Sequence, residues 1–383
     1  MKYKFTLSFL TLVFFTQSLF TQNIYTQLFP PSFYRDQELD TKWSNSIGFR
    51  VENSNFLKNN EYFNNIIEGY TLIGWFLNPK FVYYPAKNVR IEAGGHFLMY
   101  DGTDKFTKVL PTLSVQYKVS KSVDIVLGTL YGNVNHHMIE PVFRYEYFFT
   151  DNIENGLQVL IKKKHYRGDI WINWQNYIFK GDDDQEVFTL GLSNYFLLTN
   201  PESNHRLSIP LQILFVHHGG QINETSKKMQ THNNSAIGLS YAYKIKGSFL
   251  DEIGAEQYYA MFYDISGGSY QTPYIMGYGI YSVLFAKAKG FILNGTWWYS
   301  DHYISLRGHP IFQSKSTRYT NYYEQMRAFI TGRLMYEYEI IQGLDVGAGF
   351  ELYGNLYDQE VEYWYMFYIN FNRDFFIKKF KNN

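Results

Sequence analysis

The stretch that decides the fold is Val361–Asn372, which reads VEYWYMFYINFN. Its odd-numbered residues are all apolar or aromatic, whereas its even-numbered residues are mixed in polarity. Side chains alternate between the two faces of a β-strand, so one face of this segment is apolar and the other is mixed. Alternation over about ten residues is typical of a strand that crosses a membrane, with lipid on one side and a polar lumen on the other.

The same alternation recurs along most of the chain, including Phe143–Phe149. Tight turns such as Lys246–Ser248 are interleaved with long connections such as Gly219–Asn234, which is the pattern of short periplasmic turns and longer extracellular loops. Gly156–Phe179 changes phase near its middle and is either one bulged strand or a hairpin. If Gly156–Phe179 counts as a single strand, the chain has about 16 strands and both termini lie in the periplasm. The sequence therefore predicts an all-β fold, a transmembrane antiparallel up-and-down β-barrel.

Composition supports a barrel and excludes several other classes. Aromatic residues make up 20% of the chain, with 36 Tyr and 33 Phe, which suits aromatic girdles at the two membrane interfaces. The mean hydropathy of -0.31 argues against a helical membrane protein, and past the N-terminus no apolar run of about 18 residues occurs. The net charge is zero, so no basic surplus indicates a nucleic-acid partner. The absence of Cys excludes disulfides and thiolate chemistry.

The N-terminus has the features of a targeting segment. Lys2 and Lys4 precede the apolar run Phe5–Phe20, which together form the charged and hydrophobic regions of a secretory signal peptide. We therefore predict a signal peptide at residues 1–22 and a periplasmic lead-in at residues 23–40. The barrel is expected over residues 41–372, and a periplasmic tail over residues 373–383.

With its signal peptide, alternating strands and aromatic final strand, the chain resembles bacterial outer-membrane β-barrel proteins of the porin-like kind. The resemblance covers about Lys42–Asn372, and it is architectural, without a family-specific active-site motif. It implies a location in the outer membrane of a Gram-negative bacterium, lipid of that membrane as a partner, and assembly through the C-terminal strand.

Charged residues of both signs fall on the inferred lumen face. About sixteen strands enclose more volume than inward side chains can fill, so an aqueous lumen is expected unless loops plug it. Because acidic and basic residues nearly balance, we predict a porin-like channel for small polar solutes with weak charge selectivity. The alternative is a structural, secretion-associated or surface-binding barrel with a plugged lumen. The predicted lumen-lining residues are Arg50, Arg90, Glu92, Lys108, Arg144, Glu146, Arg327, Arg333, Glu337 and Glu351.

Histidines cluster at the predicted extracellular ends. Converging imidazoles could bind a transition metal, but there is no HExxH motif, and polar residues of solvated loops explain the cluster more simply. We therefore predict no metal and no cofactor. These histidines are His136, His137, His217, His218, His232, His302 and His309.

A second alternative function is an outer-membrane hydrolase. Asp301, His302 and Ser305 are close in sequence, but catalysis needs a nucleophile and a base within hydrogen-bond reach, which adjacency does not show. We therefore predict no catalytic residue and no enzyme. Trp297–Tyr299 could stack on a sugar, but an aromatic girdle explains these residues more simply.

Overall fold

The computed structural model describes residues 24–220, 222, 225–266 and 272–381, so the predicted signal peptide lies outside it. Sixteen antiparallel strands each pair with the next, and the first pairs with the last to close a barrel. The predicted fold class is confirmed. Within the described ranges, no helix is both long and apolar enough to cross a membrane. The strands are β1 Ser46–Glu61, β2 Tyr70–Ala86, β3 Val89–Tyr100, β4 Lys108–Ser120, β5 Val123–Thr129, β6 Asn155–Lys163, β7 Tyr166–Asn176, β8 Val187–Leu197, β9 His205–His218, β10 Gln230–Lys244, β11 Glu252–Asp264, β12 Met276–Ala288, β13 Phe291–Asp301, β14 Met326–Ile341, β15 Leu344–Asn355 and β16 Val361–Lys379.

The final strand shows the predicted division between its two faces. Trp364 and Met366 are fully buried inside the barrel, whereas Val361 and Phe367 are each 59% exposed on the outer surface. Apolar side chains on the outer face of a barrel meet lipid rather than water. The alternation read from the sequence thus corresponds to an inward and an outward face.

The last strand is longer than predicted. β16 runs to Lys379 and pairs with β1 from Glu61↔Tyr363 to Ser46↔Lys379. Across this seam, the Nη2 of Arg50 lies 2.7 Å from the Oδ2 of Asp374. The residues predicted as a periplasmic tail therefore complete the pairing that closes the barrel.

The predicted number of strands is right, but one predicted strand is wrong, and the alternative left open at Gly156–Phe179 is decided in favour of a hairpin. Phe143–Phe149 is not a strand, because it lies in the loop between β5 and β6 and includes a short helix, Tyr147–Thr150. Gly156–Phe179 is a hairpin, since β6 and β7 pair up to Lys163↔Tyr166. Because one predicted strand is lost and Gly156–Phe179 contributes two strands and not one, the number of strands stays at 16.

The interior of the barrel is filled by three segments that we call the plug. They are residues 24–40, residues 130–154 between β5 and β6, and residues 302–325 between β13 and β14. Phe33 packs within 5.9 Å (ring centroids) of Phe148, Phe149 and the wall residue Tyr368. Residues 24–40 were predicted to be a periplasmic lead-in, but this segment lies inside the barrel. The open lumen expected from the strand count is occupied, because apolar side chains of the plug are buried there.

Small inward residues do not leave open space either. A Cβ added to Gly191 would lie 2.1 Å from the ring of Trp171, and one added to Gly347 would lie 2.1 Å from the ring of Tyr368. Large aromatic side chains on neighbouring strands occupy the volume over these glycines. At these two inward positions, glycine thus reflects close packing in the wall and not open space.

Candidate functional site

The structure places the ten predicted lumen-lining residues in two groups. Eight belong to the barrel wall, and two, Arg144 and Glu146, belong to the plug segment between β5 and β6. The placement of those two follows from the loss of the predicted strand at Phe143–Phe149. Whether any of the ten lines a solute path stays a prediction. The wall residues are Arg50, Arg90, Glu92, Lys108, Arg327, Arg333, Glu337 and Glu351.

Charges near the turn end of the barrel, where tight turns such as that between β2 and β3 join the strands, neutralise one another. The Nη1 of Arg50 lies 3.1 Å from the Oε1 of Glu92, and the Nζ of Lys80 lies 2.9 Å from the Oε1 of Glu52. Arg35 of the plug reaches the same Glu52 carboxylate at 3.2 Å. This network therefore fastens residues 24–40 to the wall.

A second buried network lies nearer the loop end of the barrel. Lys58 of β1 forms an ion pair with Glu146, which also accepts a hydrogen bond from the hydroxyl of Tyr70. Burial alone would raise the pKa of the Glu146 carboxyl, but Lys58 and His309 hold it well below its usual range. Glu146 is therefore a charged anchor between the plug and the wall.

Most of the remaining predicted lumen residues also contact the plug. Arg333 pairs with Glu140, and Glu337 accepts a hydrogen bond from the backbone N–H of Ser32 at 3.1 Å. Three more make comparable contacts, namely Arg90 to the Glu38 carbonyl at 3.3 Å, Lys108 to Asp151 at 2.7 Å, and Arg327 to the Ile311 carbonyl at 3.1 Å. Glu351 instead lies 3.8 Å from Arg333 within the wall.

Two adjacent histidines of the plug are enclosed. His136 lies between Asp169, at 2.8 Å, and Glu154, at 3.2 Å, and it stacks on Trp171. Burial lowers the pKa of its imidazole, but the carboxylates of Glu154 and Asp169 outweigh burial and raise it to about 9. For His137, burial and the neighbouring His136 lower the pKa to about 3. His136 is buried, whereas His137 is half-buried and stacks on Tyr25. Both imidazoles therefore pack within the plug.

A cavity of about 360 Å³ opens at the loop end of the barrel, and we call it the vestibule. It collects cationic, imidazole and hydroxyl side chains from four parts of the chain. Its lining includes Arg144, Tyr147, His218, His232, Thr272, Ser305, Lys315, Ser316 and Thr317. Such groups favour an anionic ligand that carries hydrogen-bonding oxygens.

His232 in the vestibule wall and the buried Asp264 beside it form an acid–base pair. His232 on β10 and Asp264 on β11 are directly opposite in the strand register, with Nε2 and Oδ1 3.7 Å apart. His218 ends the neighbouring β9 on the same inward side, whereas His217 bonds Thr231 at 2.8 Å. A histidine beside a carboxylate is a common general base. Sequence reasoning singled out His232 but missed Asp264, because their pairing depends on the register of two strands.

The hydrolase arrangement considered from sequence is not assembled as a unit. His302 pairs with its neighbour Asp301, but the hydroxyl of Ser305 donates to the carbonyl of Pro141 at 2.6 Å. Ser305 lies in the vestibule wall. Throughout the part of the chain that the structure describes, no three His, Asp or Glu side chains are grouped to hold a metal ion.

Solved structures share the barrel fold. A loop-deletion variant of OmpT, an outer-membrane protein of Vibrio cholerae, is 12% identical, with a TM-score of 0.50; 86% of this chain and 99% of that chain are covered. OprD of Pseudomonas aeruginosa is 9% identical, with a TM-score of 0.48 and coverage of 87% and 94%. OpdK of the same species is 11% identical, with a TM-score of 0.49 and coverage of 87% and 100%. The chain is an outer-membrane β-barrel.

Sequence comparison adds a family. No curated protein matches the chain significantly. A family model described as "Lipid A 3'-O-deacylase-type" matches residues 38–380, from the plug to the end of β16. The family is named for an enzymatic activity, so the prediction that the chain is not an enzyme is not supported. Because the match spans nearly the whole chain, the protein belongs to the lipid A 3'-O-deacylase-type family.

Proposed function

We propose that the protein is an outer-membrane hydrolase that removes an ester-linked acyl chain from a lipid A-type lipid. The observation that carries the proposal is that the family match runs through the whole barrel, while the plug fills the lumen that a channel needs. Three cavities inside the barrel measure about 40, 20 and 30 Å³. Each has room for about one to a few water molecules, which is too little for a solute.

The vestibule supplies groups suited to this reaction. Arg144 and Lys315 provide positive charge for the phosphate groups of such a lipid. His232, with the carboxylate of Asp264 beside it, would take a proton from a water molecule as that water attacks the ester carbonyl. The proton then passes to the departing sugar oxygen as the single bond between that oxygen and the carbonyl carbon breaks. The products are a free fatty acid and the lipid with one hydroxyl restored.

The acid–base pair also lies close to the lipid-facing surface. The backbone N–H of Asp264 donates to the carbonyl of Ile275 at 2.7 Å. Ile275 and Met276 are 52% and 68% exposed, and they give acyl chains an apolar contact beside the vestibule. A lipid could therefore keep its chains in the membrane while its headgroup enters the vestibule.

The test is release of fatty acid by purified protein from lipid A carrying an ester-linked chain at the 3' position, read by mass spectrometry. We expect wild type to remove one chain. His232→Gln and Asp264→Asn should each slow release by about 10²–10⁴-fold if His232 is the general base. His217→Gln is the matched control, because His217 is adjacent to the vestibule residue His218 and bonds Thr231 instead.

The outcomes separate the activity from the site. Folded wild-type protein that releases no fatty acid would overturn the proposed function. Full activity in His232→Gln would leave the activity standing and move the site elsewhere. The porin-like alternative predicts instead that wild type conducts ions in a planar bilayer and leaves lipid A unchanged.

A further inference from the structure

A second cavity, of about 460 Å³, lies at the loop end over β14, β15, β16 and β1, and we call it the rim cleft. It falls within the range of about 300–1,000 Å³ that is usual for small-ligand sites. Its walls carry amides, carboxylates and aromatic rings. They include Phe63, Asn64, Asn65, Tyr322, Glu324, Gln325, Arg327, Asn355, Tyr357, Asp358 and Glu360.

One wall of the rim cleft is held in place before any ligand arrives. The Nδ2 of Asn64 donates to both carboxylate oxygens of Glu362, at 2.7 and 2.8 Å. Arg318 donates to the carbonyls of Phe63 and Asn64 at 3.1 and 2.9 Å. Ser316 donates to the carbonyl of Asn65 at 2.5 Å. These bonds join two loops, so binding costs little additional ordering of the wall.

The chemistry of the walls matches a hydroxyl-rich ligand. Side-chain amides such as those of Asn65 and Gln325 offer donors and acceptors together, and carboxylates such as that of Glu360 accept from hydroxyl groups. Phe63 and Tyr357 are 56% and 53% exposed, which leaves ring faces available to the C–H faces of sugar rings.

The charge of the rim cleft argues against a ligand that carries a phosphate group. Its walls carry three carboxylates, those of Glu324, Asp358 and Glu360, and one guanidinium, that of Arg327. Arg327 is already paired with Glu324. The net charge of the side chains that line the rim cleft is therefore negative, whereas that of the vestibule lining is positive. From this geometry we propose that the rim cleft binds neutral oligosaccharides.

The two cavities are neighbours across one loop. Ser316 and Thr317 face the vestibule, whereas Tyr322 and Glu324 face the rim cleft, and the backbone N–H of Ser316 donates to the carbonyl of Tyr322 at 3.0 Å. A phosphorylated lipid that bears a neutral sugar chain would meet a matching surface in each cavity. Oligosaccharide binding itself does not depend on hydrolysis.

The test uses purified full-length protein in a detergent without a sugar headgroup. Maltotriose and triacetylchitotriose are the neutral probes, and glucose 6-phosphate is the anionic probe. Saturation-transfer NMR detects contact, and calorimetry gives the affinity. We expect at least one neutral probe to bind and the anionic probe not to bind. Tyr357→Ala should weaken neutral binding about tenfold.

Tyr177→Ala is the matched control, because Tyr177 is 65% exposed at the loop end, just after β7, and lies outside the rim cleft. Its affinity should equal that of wild type. Heat-modifiable migration on gels would show that both variants are folded. His232→Gln should also keep full oligosaccharide affinity, which separates this site from the proposed hydrolysis.

Three results would overturn the inference. The first is no saturation transfer to either neutral probe. The second is equal affinity in wild type and Tyr357→Ala. The third is tighter binding of glucose 6-phosphate than of the neutral probes.

Discussion

Lys58 on the barrel wall and Glu146 on the plug form an ion pair whose side chains are 0% and 2% exposed. Removing one partner of such a pair leaves a charge buried without compensation, which costs about 3–5 kcal/mol. Lys58→Met should therefore lower the free energy of unfolding in urea by about that amount. Lys58→Met combined with Glu146→Gln should lose less than the sum of the single variants. Additive losses would show that the two side chains are not coupled.

The plug should block ion flow. Wild-type protein in a planar bilayer is expected to be electrically silent. Deleting residues 24–40 removes the buried rings of Phe29 and Phe33 and should give measurable conductance. Deleting Gly181–Asp184, an exposed loop tip, is the control and should leave the bilayer silent. Steady conductance in wild type would contradict a closed lumen and favour the porin-like alternative.

Stability should depend on pH through His136. Its folded-state pKa of about 9 lies above the ordinary value of 6.5, so its charge stabilises the fold fully below pH 6.5. That stabilisation, on the order of 3 kcal/mol, is lost as the pH rises from 6.5 through 9. Urea unfolding at several pH values should show this decline in wild type. His136→Gln should flatten the curve in that window, and an unchanged slope would rule out His136 as its source.

A charged side chain introduced on the outer face should destabilise the barrel more the deeper it lies in the membrane. Phe367 and Val361 are equally exposed on the outward side of β16, but Val361 begins the strand at the loop end. Phe367→Arg should destabilise the barrel by about 2–4 kcal/mol, and Val361→Arg by about 0–1 kcal/mol. Folding titrations in lipid vesicles measure both values. Equal costs would mean that the two positions lie at the same depth.

Local pattern was enough to predict the barrel. The alternation along β16 depends only on residues two apart, and burial of Trp364 and exposure of Phe367 follow directly from it. The phase change at Gly156–Phe179 was a hairpin signal as much as a bulge signal. Leu157 pairs with Ile172, so an odd-numbered outward face in β6 continues as an even-numbered one in β7.

Non-local contacts explain what the sequence did not predict. Phe143–Phe149 carries alternating aromatic residues because they are buried against other parts of the plug, and this burial produces the same pattern as a strand. The pairing of His232 with Asp264 joins residues of two strands through their register. The plug itself depends on loops that fold back into the lumen, which alternation cannot reveal.

The filled lumen has a consequence for the cell envelope. The outer membrane protects the cell by keeping small toxic compounds out, and each open pore weakens that protection. The plug fills the lumen, and the Lys58–Glu146 pair and the aromatic rings around Phe33 hold it in place. Such a barrel adds protein surface to the membrane without adding a path for small solutes. We therefore expect that overproduction of this protein leaves the permeability of the envelope to small solutes unchanged.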